Sequence, residues 1–457
     1  MSDEEPTPLT TILLNQWRNP GDILSLLLLI GGEVVQKAIA QLVGLRVPHR
    51  RKLHNEKDDN DYFFTLTPVA FSFGWVAYAF NSLMAVFGNG NLMPEPDTQI
   101  MVINAANGYV RDNSSWVLGR FLRDFEIGLE KKTKDLWPDP APLDSSNNPR
   151  NVSLRIDILE VASSIDPPAV DTTWYVGWVV IVIQLGIAAI PWGLWGDWVI
   201  FLVCSAGTLF SLLSSSLPQW ISEKWAWRRL WKPKTIILTR GNGNRYAVAL
   251  VCRAGDPDIE ALASARAEAR PGTRPLFLVL TTLWMLLLIT VSGVEDHRWF
   301  LIAVGGIGML QNMWAASCVR HSSTLGLHLK PYHPRSIVVG YQTDRAVGRP
   351  PDEPRVSMTG EEEFPPQKPN HEISDVMGAL IEAEKVIPGL GACLVPIFFP
   401  GNLTYDEAPL YYNREKNFWE LAHLTMKGRR KEHAKFIAGG PSGHGKDREG
   451  DKAVSLS

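Results

Sequence analysis

The chain is poor in cysteine and carries no excess of positive charge, and each shortage excludes a class of protein. Its 457 residues include four cysteines, with no CxxC pair and no histidine at ligand spacing beside them. They are Cys204, Cys252, Cys318 and Cys393. This pattern argues against a disulfide framework or a zinc site and favours isolated buried thiols. The formal net charge of −3 offers no broad basic field for nucleic acid.

Signatures of catalysis are missing as well. The sequence holds no GxSxG, HExxH or kinase motif. The GNGN at 241–244 lacks the Lys-Ser/Thr of a phosphate loop, so a hairpin turn explains it better. The charged turn at 295–297 contains a histidine, and His321, His328 and His333 match no common metal spacing. We therefore expect no catalytic residue, no cofactor and no metal, and we expect the protein not to be an enzyme.

Long apolar runs are what the chain has in abundance. Six of them are Asp22–Leu45, Phe63–Gly88, Trp174–Leu194, Trp198–Leu217, Pro275–Val294 and Trp299–Val319. About twenty such residues, at about 1.5 Å rise each, cross a hydrocarbon core of about 30 Å. Pro275–Val294 contains no ionisable side chain at all. The sequence predicts an α-helical integral membrane protein with about six transmembrane helices.

The first of these runs carries a polar face. Glu33, Lys37 and Gln41 are spaced four residues apart, and Gln36 lies beside them. One interpretation is an intramembrane face that lines the pathway of a transporter or channel. The other, which we favour, is an amphipathic helix whose polar face meets headgroups or a neighbouring helix.

Tryptophan alternates with basic residues directly after the fourth run. Lys224, Arg228, Arg229 and Lys232 are the basic residues closest to it. Such a segment attracts anionic lipid headgroups by roughly 1 kcal/mol for each basic side chain. It is also the ordinary composition at the end of a membrane helix, so both interpretations stay open.

The polar loops contain short strand and helix signals. Strands are expected near Ile100, Val152, Thr235 and Tyr246, and helices at Trp116, Pro257 (with Asp256 as N-cap) and Ile373. The run Ala392–Phe399 is expected to be a buried strand or turn. Because each loop holds too few elements to bury a core alone, the loops should assemble into one small cytoplasmic α/β domain.

The chain accordingly divides into seven parts. Residues 1–88 form an N-terminal membrane region with two apolar helices, and 174–217 and 275–319 form two transmembrane hairpins. The loops 89–173 and 218–274 contribute to the α/β domain, 320–426 is a linker with a C-terminal α/β segment, and 427–457 is a disordered tail.

Orientation follows from the positive charges near the ends of the runs. The charges after the fourth run and on both sides of the last hairpin share one face, which places both termini and the large loops in the cytoplasm. The basic loop Arg46–Lys57 disagrees, unless the second run is re-entrant and only four spans remain. In this orientation the sequons at Asn113, Asn151 and Asn402 stay unglycosylated.

Three strings in the chain resemble an uncharacterised family of multi-pass membrane proteins from filamentous fungi. They are Asp22–Leu42, Pro68–Phe80 and Gly108–Glu126. The resemblance implies a membrane protein and brings no activity. We expect a non-enzymatic scaffold or sensor whose partner is the lipid bilayer, and the alternative is a transporter or channel. The glycines of the sixth run, Gly305, Gly306 and Gly308, suit close helix packing or association with another chain.

Overall fold

The structure is a computed structural model that describes most, but not all, of the chain. The described residues are 31–44, 66–88, 91–136, 152–162, 168–265, 267, 272–294, 296–333, 335–341, 372–400, 417–420, 422–424 and 427–428. The start of the first apolar run, the basic loop and almost all of the predicted tail lie outside them.

Helices and strands form two layers, an apolar helical bundle and a sheet with its own helices. The helices are α1 (Gly32–Leu42), α2 (Gly74–Phe87), α3 (Trp116–Leu136), α4 (Thr172–Trp195), α5 (Val199–Ser215), α6 (Pro218–Lys224), α7 (Ile259–Ala263), α8 (Thr273–Ser292), α9 (Arg298–Ser317), α10 (Asp375–Val386) and α11 (Leu390–Phe398). The strands are β1 (Met101–Asn104), β2 (Val110–Asp112), β3 (Val152–Val161), β4 (Lys234–Thr239), β5 (Tyr246–Cys252), β6 (Leu329–Pro331), β7 (Ile337–Tyr341) and β8 (Glu372–Ser374).

Three helices are long and apolar enough to cross a membrane, namely α4, α8 and α9. Helices α5 and α6 count as a fourth when they are taken together across a bend of 44°. The second predicted run differs from expectation, because its helix α2 has only 14 residues. The first run is described only from residue 31 onward, where α1 covers 11 residues. The described part of the chain thus contains three or four candidate spans, where the sequence predicted six.

Six of the helices pack side by side in a closed ring. The order around it is α1, α2, α8, α5, α4 and α9, and α9 contacts α1 again. An extended segment fills the centre of this ring, and it is buried from Thr67 to Phe73. Glycines make the space: a Cβ on Gly308 would lie 1.8 Å from the Phe71 carbonyl oxygen, and one on Gly305 would lie 2.1 Å from the Phe73 ring.

The backbone of the extended segment is bonded to side chains of the surrounding helices. Gln184 Nε2 donates to the Phe71 carbonyl at 2.7 Å, and Gln311 Oε1 accepts from the Ala70 amide at 3.3 Å. Asn312 Nδ2 donates to the Ala70 carbonyl at 3.2 Å. Buried backbone groups need hydrogen-bond partners, and this segment does not obtain them from a neighbouring strand. The three side-chain amides supply them instead.

The second apolar run enters the ring and returns to the side from which it came. Thr67 exchanges hydrogen bonds with Ser215 at the end of α5, next to α6. The run reaches the middle of the ring at Phe71, and α2 then leads back to α6, where the Tyr78 ring stacks on Trp220 at 6.3 Å. This re-entrant path explains why the run does not form one continuous helix.

The sheet has the strand order β2-β1-β4-β5-β3-β7-β8, with β6 paired to β3. The β3–β5 and β7–β8 pairs are parallel, and the others are antiparallel. Strands from the three large polar loops therefore join one sheet, as predicted. The turn at 241–244 closes the β4–β5 hairpin with positive φ at Gly241 and Gly243.

Three local predictions were wrong. Ile373, expected to start a helix, lies in strand β8, and the helix α10 begins at Asp375. The run Ala392–Phe399 lies mostly in helix α11, because the buried Glu384 carboxylate accepts from the Gly389 and Ala392 amides and caps the start of that helix. The helix expected at Pro257 starts two residues later, with Asp258 rather than Asp256 as its N-cap, and it ends at Ala263.

The two faces of the sheet pack against different partners. On one face Val102, Ile236 and Leu250 join α3 and the helical ring in one continuous apolar cluster. On the other face Ile237 and Ala249 pack with α10, α11 and Trp419 in a second cluster. Helix α3 therefore lies between the sheet and the ring.

Gly308→Ala should destabilise the fold, since its methyl group has no room beside the Phe71 carbonyl. We expect a cost of about 1–3 kcal/mol, the usual range for overpacking. Gly306→Ala is the matched control, because a Cβ there meets nothing within 4 Å among the described residues. Thermal unfolding of the purified variants in detergent checks this, and equal midpoints for the two variants would contradict it.

Candidate functional site

A buried polar layer joins the helical ring to the sheet, and we call it the junction. It consists of Gln41, Asp97, Arg120, Asp124, Asp171, Lys224 and Arg320. Here the carboxyl-terminal ends of α1 and α9 meet the polar side of α3. The last four carbonyls of a helix lack intrahelical partners, so these two ends need donors.

Arg120 is the centre of the junction and is fully buried. Its Nη1 lies 2.9 Å from Asp97 Oδ2, and its Nε lies 3.1 Å from Asp124 Oδ2. The same guanidinium donates to the Ala316 carbonyl at 2.8 Å and to the Cys318 carbonyl at 2.5 Å. One side chain of α3 thus binds two carboxylates and caps the end of α9.

Two further cations complete the layer from other directions. Arg320 Nη1 donates to the Gln41 carbonyl at 2.6 Å, and its Nε pairs with Asp171 at 2.5 Å. Lys224 Nζ donates to the Val43 carbonyl at 2.9 Å and to the Gln41 carbonyl at 3.4 Å. The end of α1 is therefore held by α6 and by the segment that follows α9.

The predicted polar face of the first helix lies against the junction and not in the centre of the ring. Lys37 pairs with Asp97 at 3.2 Å, and Gln36 Nε2 donates to the Leu92 carbonyl at 2.7 Å. Gln41 is buried, with its Nε2 3.4 Å from the Cys318 carbonyl, whereas Glu33 is exposed. This face meets the segment 92–97 and the end of α9, and not a neighbouring helix as the favoured interpretation expected.

The four predicted lipid-contacting residues separate into two groups. Lys224 is 1% exposed, so its ammonium is not on the surface, and the prediction of a surface contact is corrected for this residue. Lys224 is buried because its Nζ supplies the hydrogen-bond donor that the carbonyl groups at the end of α1 need. Arg228, Arg229 and Lys232 are exposed, and Arg228 pairs with Asp258 at 3.3 Å.

The remaining residues that the sequence suggested as candidates have structural roles. No group of three or more metal-ligating side chains occurs within the described residues. His297 Nδ1 lies 3.2 Å from Asp197 Oδ2 and joins the turns of the two long hairpins. Among the glycines of the sixth run, Gly305 and Gly308 pack within the chain and Gly306 stays at the surface.

Sequence reasoning missed most of the junction. The one available signal was Arg120 and Asp124, four residues apart on a helix, which is the usual spacing of an ion pair. Asp97 and Asp171 lie outside helices, and the residues they bind are 23 and 149 positions away. Local patterns carry no information about such partners.

The middle of α3 is joined to the sheet by a second charged contact. Glu126 pairs with Arg240 at 2.6 Å and accepts from Asn244 at 2.8 Å, both near the β4–β5 turn. Burial raises the pKa of the Glu126 carboxyl above its ordinary value of 4.5, and the contacts with Asn244 and Arg240 oppose this shift only in part.

Glu126→Gln should therefore flatten the dependence of stability on pH. The folded state binds this proton more tightly than the unfolded state. The protonated carboxyl therefore contributes fully to the free energy of unfolding below a pH of about 4.5. This contribution is lost as the pH rises through the raised pKa of the folded state. Unfolding midpoints measured from pH 4 to 8 should fall less steeply in the variant, and a slope equal to that of the wild type would contradict this.

Arg120→Met should lower the stability of the fold more than the substitution of a surface residue does. It removes the donor of the Ala316 and Cys318 carbonyls, while Lys37 and Arg123 still pair with Asp97 and Asp124. We expect a cost of about 1–3 kcal/mol from the buried groups left without a partner. Arg253→Met is the control, because Arg253 is mostly exposed and pairs with Glu160 at the surface. Thermal unfolding followed by circular dichroism should separate the two variants clearly. Similar midpoints would show that the junction contributes little.

Comparison of the chain with known protein-family models, with characterised proteins and with solved structures gave no match.

Proposed function

We propose that this chain is an integral membrane protein that acts as a non-enzymatic scaffold or sensor. The support for a membrane is the outer surface of the helical ring. Val182 on α4, Leu286 and Ile289 on α8, and Leu310 on α9 are all more than half exposed on the candidate spans. Such surfaces suit lipid, because large exposed apolar patches are rare on soluble monomers.

Four spans suit the observations better than six in this proposal. The second run supplies only the 14-residue helix α2, and it returns to α6 after reaching the centre of the ring. A re-entrant second run keeps the basic loop Arg46–Lys57 on the same side as the sheet. The rule that positive loops stay in the cytoplasm is then obeyed throughout.

The junction is the observation that favours a scaffold or sensor over a transporter or channel. Lys37, Asp97 and Arg120 form a chain of ion pairs that runs from the polar face of α1 to α3 and the sheet. A face used in this way is unavailable to a transport pathway. Two layers that are linked through a buried charge network can pass a structural change from one to the other.

Anionic lipid headgroups are the proposed partners at the membrane surface. Arg228, Arg229 and Lys232 are exposed around Trp231, whose side chain is 93% exposed. Tryptophan favours the headgroup region, and basic neighbours attract negative lipids. Association with a second chain through Gly306 remains a prediction of the sequence.

A transporter or channel is the second candidate, and one observation favours it. An extended segment in the middle of an apolar bundle, held by the amides of Gln184, Gln311 and Asn312, resembles the broken helices that bind substrates in transporters. In the present arrangement the segment Thr67–Phe73 fills that centre.

Topology is tested with two identical linker-flanked glycan acceptors in separate proteins expressed in cells. One is inserted in the loop 46–57, and the other in the turn at 196–198 between α4 and α5. We expect glycan only on the turn acceptor, while Asn113, which is buried and bonded to Ser115, stays bare. A glycan on the loop acceptor would restore six spans, and a glycan on a native sequon would reverse the orientation.

Function is tested by ion and solute flux in sealed vesicles that contain the purified protein. The scaffold predicts no flux above that of empty vesicles, for the wild type and for Glu33→Ala or Lys37→Ala alike. Flux that both of these variants abolish would support the pathway along α1. Flux that persists in them but is lost in folded Gln184→Leu would place the pathway at the centre of the ring. Either result would reject the scaffold proposal in favour of a transporter or channel.

A further inference from the structure

The turns of the two long hairpins meet at the end of the ring that lies away from the junction. Asp171 of the junction caps the start of α4, and Asp197 follows the end of the same helix. His297 precedes α9 in the other hairpin, and its Nδ1 lies 3.2 Å from Asp197 Oδ2. In the proposed orientation, this pair lies on the side of the membrane opposite the cytoplasm.

The Asp197 carboxylate is held in place by its own hairpin. Its Oδ1 accepts from the Val199 amide at 3.1 Å, at the start of α5. The Asp197 amide donates to the Pro191 carbonyl at 3.3 Å, near the end of α4. One carboxylate oxygen is thus used within the hairpin, and the other is bonded to the histidine of the second hairpin.

The His297 imidazole lies against two groups that attract positive charge. Besides the Asp197 carboxylate, it contacts the Trp195 indole, with the ring centroids 4.6 Å apart and an angle of 32° between the ring planes. Its carbonyl accepts from the Phe300 amide at 2.9 Å, which anchors the histidine at the start of α9. Only 26% of the side chain is exposed, so salt and water screen the contact less than they screen a fully exposed pair.

The other charged groups around the imidazole belong to its own turn. Asp296 is exposed, and Arg298 Nε donates to the Val294 carbonyl at 2.6 Å. Glu295 lies outside the described residues. From the opposite hairpin, the groups recorded against the imidazole are the Asp197 carboxylate and the indole beside it. Among the described residues, Asp197 is therefore the charged group bonded to this histidine.

We propose that His297 and Asp197 form a latch between the two hairpins, which protons on the non-cytoplasmic side close. Histidine is the side chain whose charge changes between about pH 5 and 8. A neutral imidazole offers Asp197 one hydrogen bond, whereas a protonated imidazole adds an ion pair and a cation beside the Trp195 ring. The closed latch joins the α4–α5 hairpin to the α8–α9 hairpin. Its use as a signal rests on the proposed sensor function, in which acidity is what the protein senses.

The test is a double-mutant cycle on the full chain in phosphatidylcholine nanodiscs, with thermal midpoints measured at pH 5 and pH 8. The variants are His297→Asn, Asp197→Asn and their combination. Asparagine tolerates the positive φ of the first position and can still accept from the Val199 amide at the second. The cycle cancels every other titrating group. We expect a coupling of about 1–3 °C at pH 5 that is nearly absent at pH 8.

Equal coupling at the two pH values would overturn the proposal. His321→Asn is the matched control, because it removes a histidine that bonds to Ser323 at 2.8 Å on the opposite side of the ring. In that background the coupling between the two latch residues should depend on pH as it does in the wild type. Loss of the pH dependence there would show that it arises elsewhere, and this too would overturn the latch.

A distance measurement shows whether closing the latch restrains the hairpins. Nitroxide labels are attached through Leu194→Cys on α4 and Ala303→Cys on α9, both exposed positions, in a chain that carries Cys318→Ser because the other three cysteines are buried. A change from pH 8 to pH 5 should narrow the distribution of label distances, and Asp197→Asn should abolish this narrowing. Narrowing in both chains would overturn the latch. A pH-dependent coupling without narrowing would support the latch and reject acidity as the sensed signal, so the two failures are separable.

Discussion

Unpaired carbonyl groups at the ends of two apolar helices determine how the layers of this protein fit together. The last turn of α1 is buried, and the last turn of α9 is partly buried against α3. Arg120, Arg320 and Lys224 supply the donors from three different elements. Cations also suit the negative end of a helix. The position of α3, and with it the sheet, follows from this requirement.

The carboxylates of the junction balance those cations. Asp97, Asp124 and Asp171 each bind at least one arginine, so the layer is not an excess of buried positive charge. A layer of this kind adds little to stability compared with a well-packed apolar contact, but it fixes one relative position of its parts. The apolar cluster beneath it, which continues from the ring to the sheet, supplies most of the burial.

The sequence predicted those parts of the fold whose signal is local. Helices α8 and α9 follow from uninterrupted hydropathy, and the β4–β5 hairpin follows from two apolar runs around a Gly/Asn turn. The extended segment at Phe71 was not predictable in this way, because hydropathy reports burial and not the partner of each backbone group. The same is true of Asp97 and Arg320, which acquire their roles from residues that are distant in the chain.

The extended segment has a consequence for how the chain is made. Thr67–Phe73 leaves the ribosome long before Gln311 and Asn312, which bind its backbone. Until α9 has been synthesised, this stretch can bind Gln184 and Ser215, but it lacks Gln311, Asn312 and the groove formed by Gly305 and Gly308. The segment therefore cannot complete its contacts before α9 has been made. Truncation within α9 would leave the backbone of Thr67–Phe73 without part of its hydrogen bonds, although the truncated residues lie more than 200 positions away in the chain.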